Sequence, residues 1–209
     1  MPDKVVVHED GVARCWWCGT DPLYIAYHDR EWGVPMRDDV RLFEKITLEG
    51  FQAGLSWLTI LRKRENFRAA FDGFDVEKVS HYGVRKVNAL LKDAGIVRHR
   101  GKIESTINNA RRASEMVDEF GSIAAYLWPF EPTADTRPAT MNWASLSKLG
   151  TSAESVRLSK ELRKRGWSFV GPTTLYAFMQ AVGMVNDHLE GCATREQRLR
   201  DRKKFKLPK

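Results

Sequence analysis

Near its start the chain carries Cys15, Cys18 and His28. Near its finish it reads Asn186-Asp187-His188-Leu189-Glu190-Gly191-Cys192. Thiolates and imidazoles are the donors that zinc prefers. Cys15 with His28 and His188 with Cys192 would make a set of two sulfurs and two nitrogens, which suits tetrahedral zinc. Four protein donors close the coordination sphere, so such a site would be structural. A second pairing is open: Cys15 and Cys18 form a C-x-x-C that could be redox-active. That motif normally opens a helix beside a sheet, and no sheet is predicted here. A zinc deaminase would need H-x-E and P-C-x-x-C; the chain has His28-Asp29-Arg30-Glu31 and no second such pair. The three cysteines are an odd number, which fits reduced thiols or ligands better than a disulfide framework. Taken alone, a histidine four positions before a cysteine also fits an ordinary loop.

The second set of chemical groups surrounds Glu49, in Leu48-Glu49-Gly50-Phe51-Gln52-Ala53-Gly54-Leu55-Ser56-Trp57. A carboxylate among apolar residues is costly to bury unless something pairs with it. The common outcome is a rim glutamate that reaches water. The alternative is a carboxylate on a pocket floor, where it accepts N–H donors from a flat, cationic, nitrogen-rich ring while Trp57 or a tyrosine stacks on its face. Residues 14–33 crowd Trp16, Trp17, Tyr24, Tyr27 and Trp32 together. Such density usually means core, but Tyr27 adjoins His28, so a metal on His28 would fix where Tyr27 points.

A third candidate is the joint at 163–183. A basic helix end meets Gly166, then Phe169 and Val170, then Gly171 and a helix opening with Pro172 and Thr173. This has the shape of a helix–hairpin–helix unit, whose outward backbone N–H groups bind phosphate. An ordinary αα-corner is the plainer reading.

The elements that must position these groups are helical. Asp38 or Asp39 can cap a helix burying Val40, Leu42, Phe43, Ile46 and Phe51; Ser56 can cap the next, with Trp57, Leu58, Ile60, Leu61 and Phe67 on one side. Further helices are predicted at 85–94, ending at Gly95, at 102–120, ending at Gly121, at 122–128, at 152–165 and at 173–182. Residues 129–142 hold three prolines without a period and form the main loop. Only Val5–Val7 suggests a strand. The expectation is one mainly helical unit at 12–194, with a flexible arm at 1–11 and a flexible basic tail at 195–209.

That tail holds eight Lys/Arg against Glu196 and Asp201, nearly all of the chain's net +7. It could be a solubilising tail or an arm that follows DNA or RNA. No apolar run approaches the roughly 20 residues of a membrane span. The N-terminus resembles neither a signal nor a transit peptide, which predicts a cytoplasmic protein.

Together these segments resemble the DNA-3-methyladenine glycosylase I family of bacterial base-excision repair. The matching stretches are Arg14-Cys15-Trp16-Trp17, DPLYIAYHDREWGVP (21–35), LEGFQAGLSW (48–57), RKRENFR (62–68), DAGIVRHRGKI (93–103), KRGWSFVGPTT (164–174) and GMVNDHLEGC (183–192). The resemblance implies an all-α fold of the helix–hairpin–helix glycosylase superfamily. It implies one structural zinc on Cys15, His28, His188 and Cys192, joining the two chain ends. It makes Glu49 the carboxylate that recognises the base, with Tyr27 and Trp57 as stacking walls and Trp17 nearby. Gly54 and Leu55 fall where the family wedges the gap left by the flipped nucleotide, and Gly166, Val170, Gly171 and Thr173 fall on the phosphate hairpin. Cys18 matches no ligand. The implied partners are double-stranded alkylated DNA and the product 3-methyladenine, acted on by a monomer that does not cut the strand. Many superfamily members place a catalytic aspartate after the hairpin, but here Asn186 and Asp187 are expected mainly to support the zinc loop. Two other readings are a non-catalytic damage-DNA-binding module of the same fold and a zinc hydrolase or deaminase with an open metal position.

Overall fold

A computed structural model describes residues 4–208; residues 1–3 of the expected N-terminal arm and Lys209 lie outside the described residues. The chain opens with an antiparallel hairpin of β1 (Val5–Val7) and β2 (Ala13–Cys15), which pairs Val5 with Cys15. Helices follow: α1 (Pro22–Arg30), α2 (Asp39–Gln52), α3 (Trp57–Ala70), α4 (Val76–Ser80), α5 (Val84–Leu90) and α6 (Arg100–Phe120). Then come α7 (Ile123–Leu127), α8 (Trp143–Leu146), α9 (Ala153–Lys164), α10 (Pro172–Ala181) and α11 (Arg195–Lys204). The mainly helical expectation holds.

Local chemistry sets most helix ends. Asp38 accepts the Arg41 N–H to start α2, Ser56 accepts that of Thr59 to start α3, and Ser152 forms a reciprocal cap with Ser155 at α9. α6 stops where Gly121 turns left-handed at φ 81°. α2 runs through the middle of the protein against α6, α7 and α10, and buries Leu42, Phe43, Ile46, Leu48 and Phe51. Phe51, Phe67, Phe71 and Phe74 pack ring on ring beside it, all at most 1% exposed. Each such side chain stabilises the fold by about 1.5–3 kcal/mol through burial.

Several expectations need correction. Both described ends carry secondary structure where the sequence suggested none beyond Val5–Val7. β1 pairs with β2, and α11 folds and docks because Arg198, 5% exposed, donates to the Asp29 and Trp32 carbonyls at 2.6 and 3.2 Å. Arg202 grips Glu131, and Phe205 lies 4.5 Å from Trp128 between ring centroids. The tail's cations are thus partly spent inside the molecule. Val40 is exposed, and the helix expected at 85–94 ends at Leu90, short of Gly95. α1 escaped the periodicity reading, although Asp21 caps it through the Leu23 and Tyr24 N–H groups and Pro22 opens its first turn.

Candidate active site and metal centre

α1, the α2–α3 pair, and the segment after α10 converge on a cavity of about 250 Å³. Glu49 lies at its floor, 4% exposed, in the last turn and a half of α2. Tyr27 from α1 and Trp57 from the start of α3 form one wall, with centroids 5.4 Å apart. Trp17 stands opposite, 5.2 Å from Tyr24 and 4.8 Å from Trp32. All four expected pocket residues therefore meet. Burial pushes the Glu49 carboxyl up to about 8, against the pull of the Lys45 charge. Burial also holds the Tyr27 hydroxyl well above its usual range, with Glu49 adding to it.

Residues that sequence reasoning missed complete the cavity. Tyr24 and Trp32, read as core, line it, as do Gln180 of α10 and Trp143 and Leu146 of α8. The loop that carries α8 is tied down by reciprocal hydrogen bonds, both 2.9 Å: Glu190 N–H to the Met141 carbonyl and Met141 N–H to Glu190 Oε1. Nothing in the composition of 129–150 flags this role. Lys45 was also missed. It sits one helical turn before Glu49, is 2% exposed, and lays its ammonium 4.5 Å from the Tyr27 ring centre and 5.3 Å from that of Trp57. The i,i+4 spacing to Glu49 was the available signal.

Asn186 and Asp187 separate in function. Asn186 accepts from His188 Nδ1 at 3.0 Å and donates to the Arg195 carbonyl at 3.1 Å, so it braces the loop as expected. Asp187 faces the cavity instead. It accepts hydrogen bonds from Tyr176 at 2.7 Å and Gln180 at 2.8 Å and is ion-paired with Arg137.

Behind the cavity, ligand atoms of Cys15, His28 and Cys192 lie within 4.8 Å of one another, all three residues buried. The His188 ring is 4.9 Å from that of His28 between centroids and is fully buried, but its ligand atom falls outside that tight trio. Its Nε2 is buried without a hydrogen-bond partner among the described residues. Each outer Nδ1 is fixed, to Asp29 Oδ1 at 2.7 Å for His28 and to Asn186 Oδ1 for His188. That arrangement leaves the Nε2 atoms to the cluster: His28 Nε2 lies 3.5 Å from Cys192 Sγ, and that of His188 is unpartnered among the described residues. The neighbouring Cys15 thiol, and then His28, hold the Cys192 thiol well below its usual range against its burial, while Cys15 is pushed up. Burial lowers His188 to about 3, so its imidazole is neutral. Cys18 is buried and donates to the Cys15 carbonyl at 3.1 Å; it is not part of the trio.

Trp17 and Trp32 connect the two sites. Trp17 lies 5.1 Å from the His28 ring, Trp32 lies 4.6 Å from His188, and both line the cavity.

The third candidate forms a hairpin between α9 and α10. Gly166 turns at φ 82° and Phe169 at φ 55°. Asn109 of α6 holds Ser168 by both backbone groups at 2.9 Å, and Ser159 donates to the Val170 carbonyl at 2.7 Å. Val170 is 1% exposed and its carbonyl is taken by Ser159, so the residue belongs to the core, contrary to its expected place on the outward phosphate hairpin. Gly171 caps α10 and Thr173 is exposed in its first turn. Gly54, at φ 82°, and Leu55, 40% exposed, form the turn between α2 and α3 at the surface.

A helical body with an acid-floored aromatic cavity and a hairpin of this shape fits the class of DNA base-processing proteins. Comparison with known proteins makes that specific. The methyladenine glycosylase family model matches residues 17–196. DNA-3-methyladenine glycosylase 1 of Escherichia coli is 51% identical over 180 residues, which cover 86% of this chain and 95% of that protein. A crystal structure of 3-methyladenine DNA glycosylase I superposes with TM-score 0.78 at 50% identity, covering 86% of this chain and 98% of the other. A Staphylococcus aureus structure described as the structural basis of 3-methyladenine recognition gives TM-score 0.78 at 35% identity, over 84% and 93% of the two chains. The chain belongs to the DNA-3-methyladenine glycosylase I family and is a glycosylase.

Proposed function

We propose that this chain flips 3-methyladenine out of double-stranded DNA and releases it by hydrolysis, without cutting the strand. Glu49 carries the reading: it is a buried carboxylate facing an aromatic cavity, where a base edge can supply the hydrogen-bond donors that the protein does not. Methylation at N3 gives the base a positive charge, and bond cleavage returns it to neutrality. The leaving group is therefore good without protonation. The work left to the protein is to hold the base out of the stack and favour the oxocarbenium-like transition state. Glu49 accepts from the base N–H groups, while Tyr27, Trp57 and Trp17 offer π-faces that favour a cation. Leu55, raised on the Gly54 turn, fills the gap in the duplex. The hairpin at Gly166, Gly171 and Thr173 presents backbone N–H groups to a phosphate. Asp187 adds a second carboxylate to the cavity, positioned by Tyr176, Gln180 and Arg137.

Strand cleavage would need an amine able to reach the sugar. Lys45 is the amine nearest these walls, yet it packs on Tyr27 and Trp57 and is not among the side chains that line the cavity. Cys15, His28, Cys192 and His188 together fit one zinc ion: the donor set suits it, and the unpartnered Nε2 of His188 is the fourth ligand atom. Such a zinc ties the chain ends and braces Trp17, Trp32 and Tyr27; it takes no part in the chemistry. No helix is long and apolar enough to cross a membrane, and we place the protein in the cytoplasm as a monomer. The test is base release from alkylated duplex DNA, with products examined for strand breaks. Full release by Glu49→Gln would overturn the role of Glu49; strand breaks would overturn the monofunctional reading.

A further inference from the structure

We infer that Lys45 is the counter-charge that favours ionisation of Glu49 in the empty base pocket, and so a positioning residue for recognition of a cationic base. The inference rests on the reading of Glu49 as the recognition group. It starts from a physical difficulty. A carboxylate this deeply buried has to be stabilised by hydrogen-bond donors or by a cation, or it takes up a proton. A protonated Glu49 would offer the base a poorer acceptor and no negative charge.

Lys45 and Glu49 lie four residues apart on α2 and so share a face. Both are nearly inaccessible, at 2% and 4% exposure. The other charged groups around them are already matched. On the α1 side Glu31 is ion-paired with Arg64 of α3 at 2.6 Å. Glu44 of α2 is ion-paired with Arg68 of α3 at 2.7 Å. Beyond α10, Asp187 is taken by Arg137, Tyr176 and Gln180. Tyr24 and Tyr27 of α1 face Glu49 as neutral phenols held above their usual range, chiefly by burial. Among the described residues around Glu49, Lys45 is the cation that is not in an ion pair. Its ammonium donates to the Tyr27 hydroxyl at 3.4 Å and rests on the faces of Tyr27 and Trp57. The same aromatic walls thus carry a cation on the protein side and can accept one on the cavity side. Burial brings Lys45 itself down to about 8, against the pull of Glu31 and then Glu49, so near neutral pH its ammonium faces a carboxyl that is only partly ionised and that its charge draws toward ionisation. A positively charged base entering the cavity adds a second cation next to Glu49, after which the carboxylate no longer depends on Lys45.

The test uses the full chain with 13C-labelled glutamate carboxyls and compares wild type, Lys45→Met and Lys45→Arg by NMR titration in the absence of DNA. In parallel, base release from alkylated duplex DNA is followed from pH 6 to 10. We expect Lys45→Met to move the Glu49 transition up by about one pH unit or more, and to lower release at pH 7 roughly tenfold. Its rate should rejoin wild type at the alkaline end, where solution alone ionises Glu49. Lys45→Arg should keep both properties close to wild type. An unmoved Glu49 transition overturns the inference, as does a loss of rate that is uniform across pH, which would mark Lys45 as merely structural. If Glu49→Gln keeps full release while the Glu49 titration still follows Lys45, the recognition role of Glu49 fails and the counter-charge stands.

Discussion

The cysteine–histidine cluster and the candidate base pocket lie back to back, share Trp17 and Trp32, and bury their polar groups to a similar depth. They treat those groups in opposite ways. At the cluster the buried donors are supported: His28 by Asp29, His188 by Asn186, and Cys15 Sγ by the Leu189 N–H at 3.4 Å. In the pocket Glu49 is left to the charge of Lys45, and Lys45 to the Tyr27 hydroxyl and ring faces. One region spends its polar groups on holding the chain together. The other keeps them under-satisfied so that a ligand can complete them.

The contrast is most exposed to removal of a proposed ligand at the cluster. Cys192→Ala should abolish stoichiometric zinc in metal analysis and lower stability by about 4 kcal/mol, with a fall in Tm of roughly 10 °C. A variant that still binds one zinc would show that Cys192 is not a ligand. Next comes the pocket: Glu49→Gln should slow single-turnover base release by about 10²-fold or more while the protein stays folded. The Lys45→Met/Glu49→Gln double variant sharpens the comparison, because it should be inactive yet more stable by about 2 kcal/mol in denaturant titration. Its advantage should be greatest near pH 8. Glu49, with its pKa raised from 4.5 to about 8, costs nothing below pH 4.5 and costs most once pH has risen through about 8. Lys45, lowered from 10.5 to about 8, costs nothing above pH 10.5 and costs most once pH has fallen through about 8. A double variant less stable than wild type near that pH would mean the pocket stores no such cost. The smallest effect belongs to the C-terminal helix: Arg198→Ala should lose about 1.5 kcal/mol through its bonds to the Asp29 and Trp32 carbonyls. An unchanged unfolding midpoint would return α11 to the status of a solvated appendage.

The contrast also marks what a sequence can show. The cluster was only weakly legible from its spacing, and the family resemblance supplied the ligand set; three of its four proposed ligands meet in the structure. Helices with side-chain caps, such as those begun by Asp38, Ser56 and Ser152, were legible from local chemistry. Glu49 was legible as a carboxylate out of place. Lys45 was not, since a lysine in an amphipathic helix ordinarily reaches water, and only packing decides otherwise. Trp143 and Leu146 were hidden for another reason: an aperiodic loop reveals neither its path nor its anchor on Glu190. The C-terminal helix was misread because its charge suggested solvation, whereas Arg195, Arg198 and Arg202 find carbonyls and a carboxylate on neighbouring segments.

The tripeptide Asn186-Asp187-His188 sends its side chains to the C-terminal helix, the base cavity and the metal cluster in turn. This sets an order of assembly during synthesis. α2, with Glu49 and Lys45, leaves the ribosome early, but the cavity lacks Asp187 and Leu189 and the cluster lacks His188 and Cys192 until much later. A nascent chain therefore cannot hold a finished cavity, and the cysteine–histidine cluster is completed at the same late step that closes it.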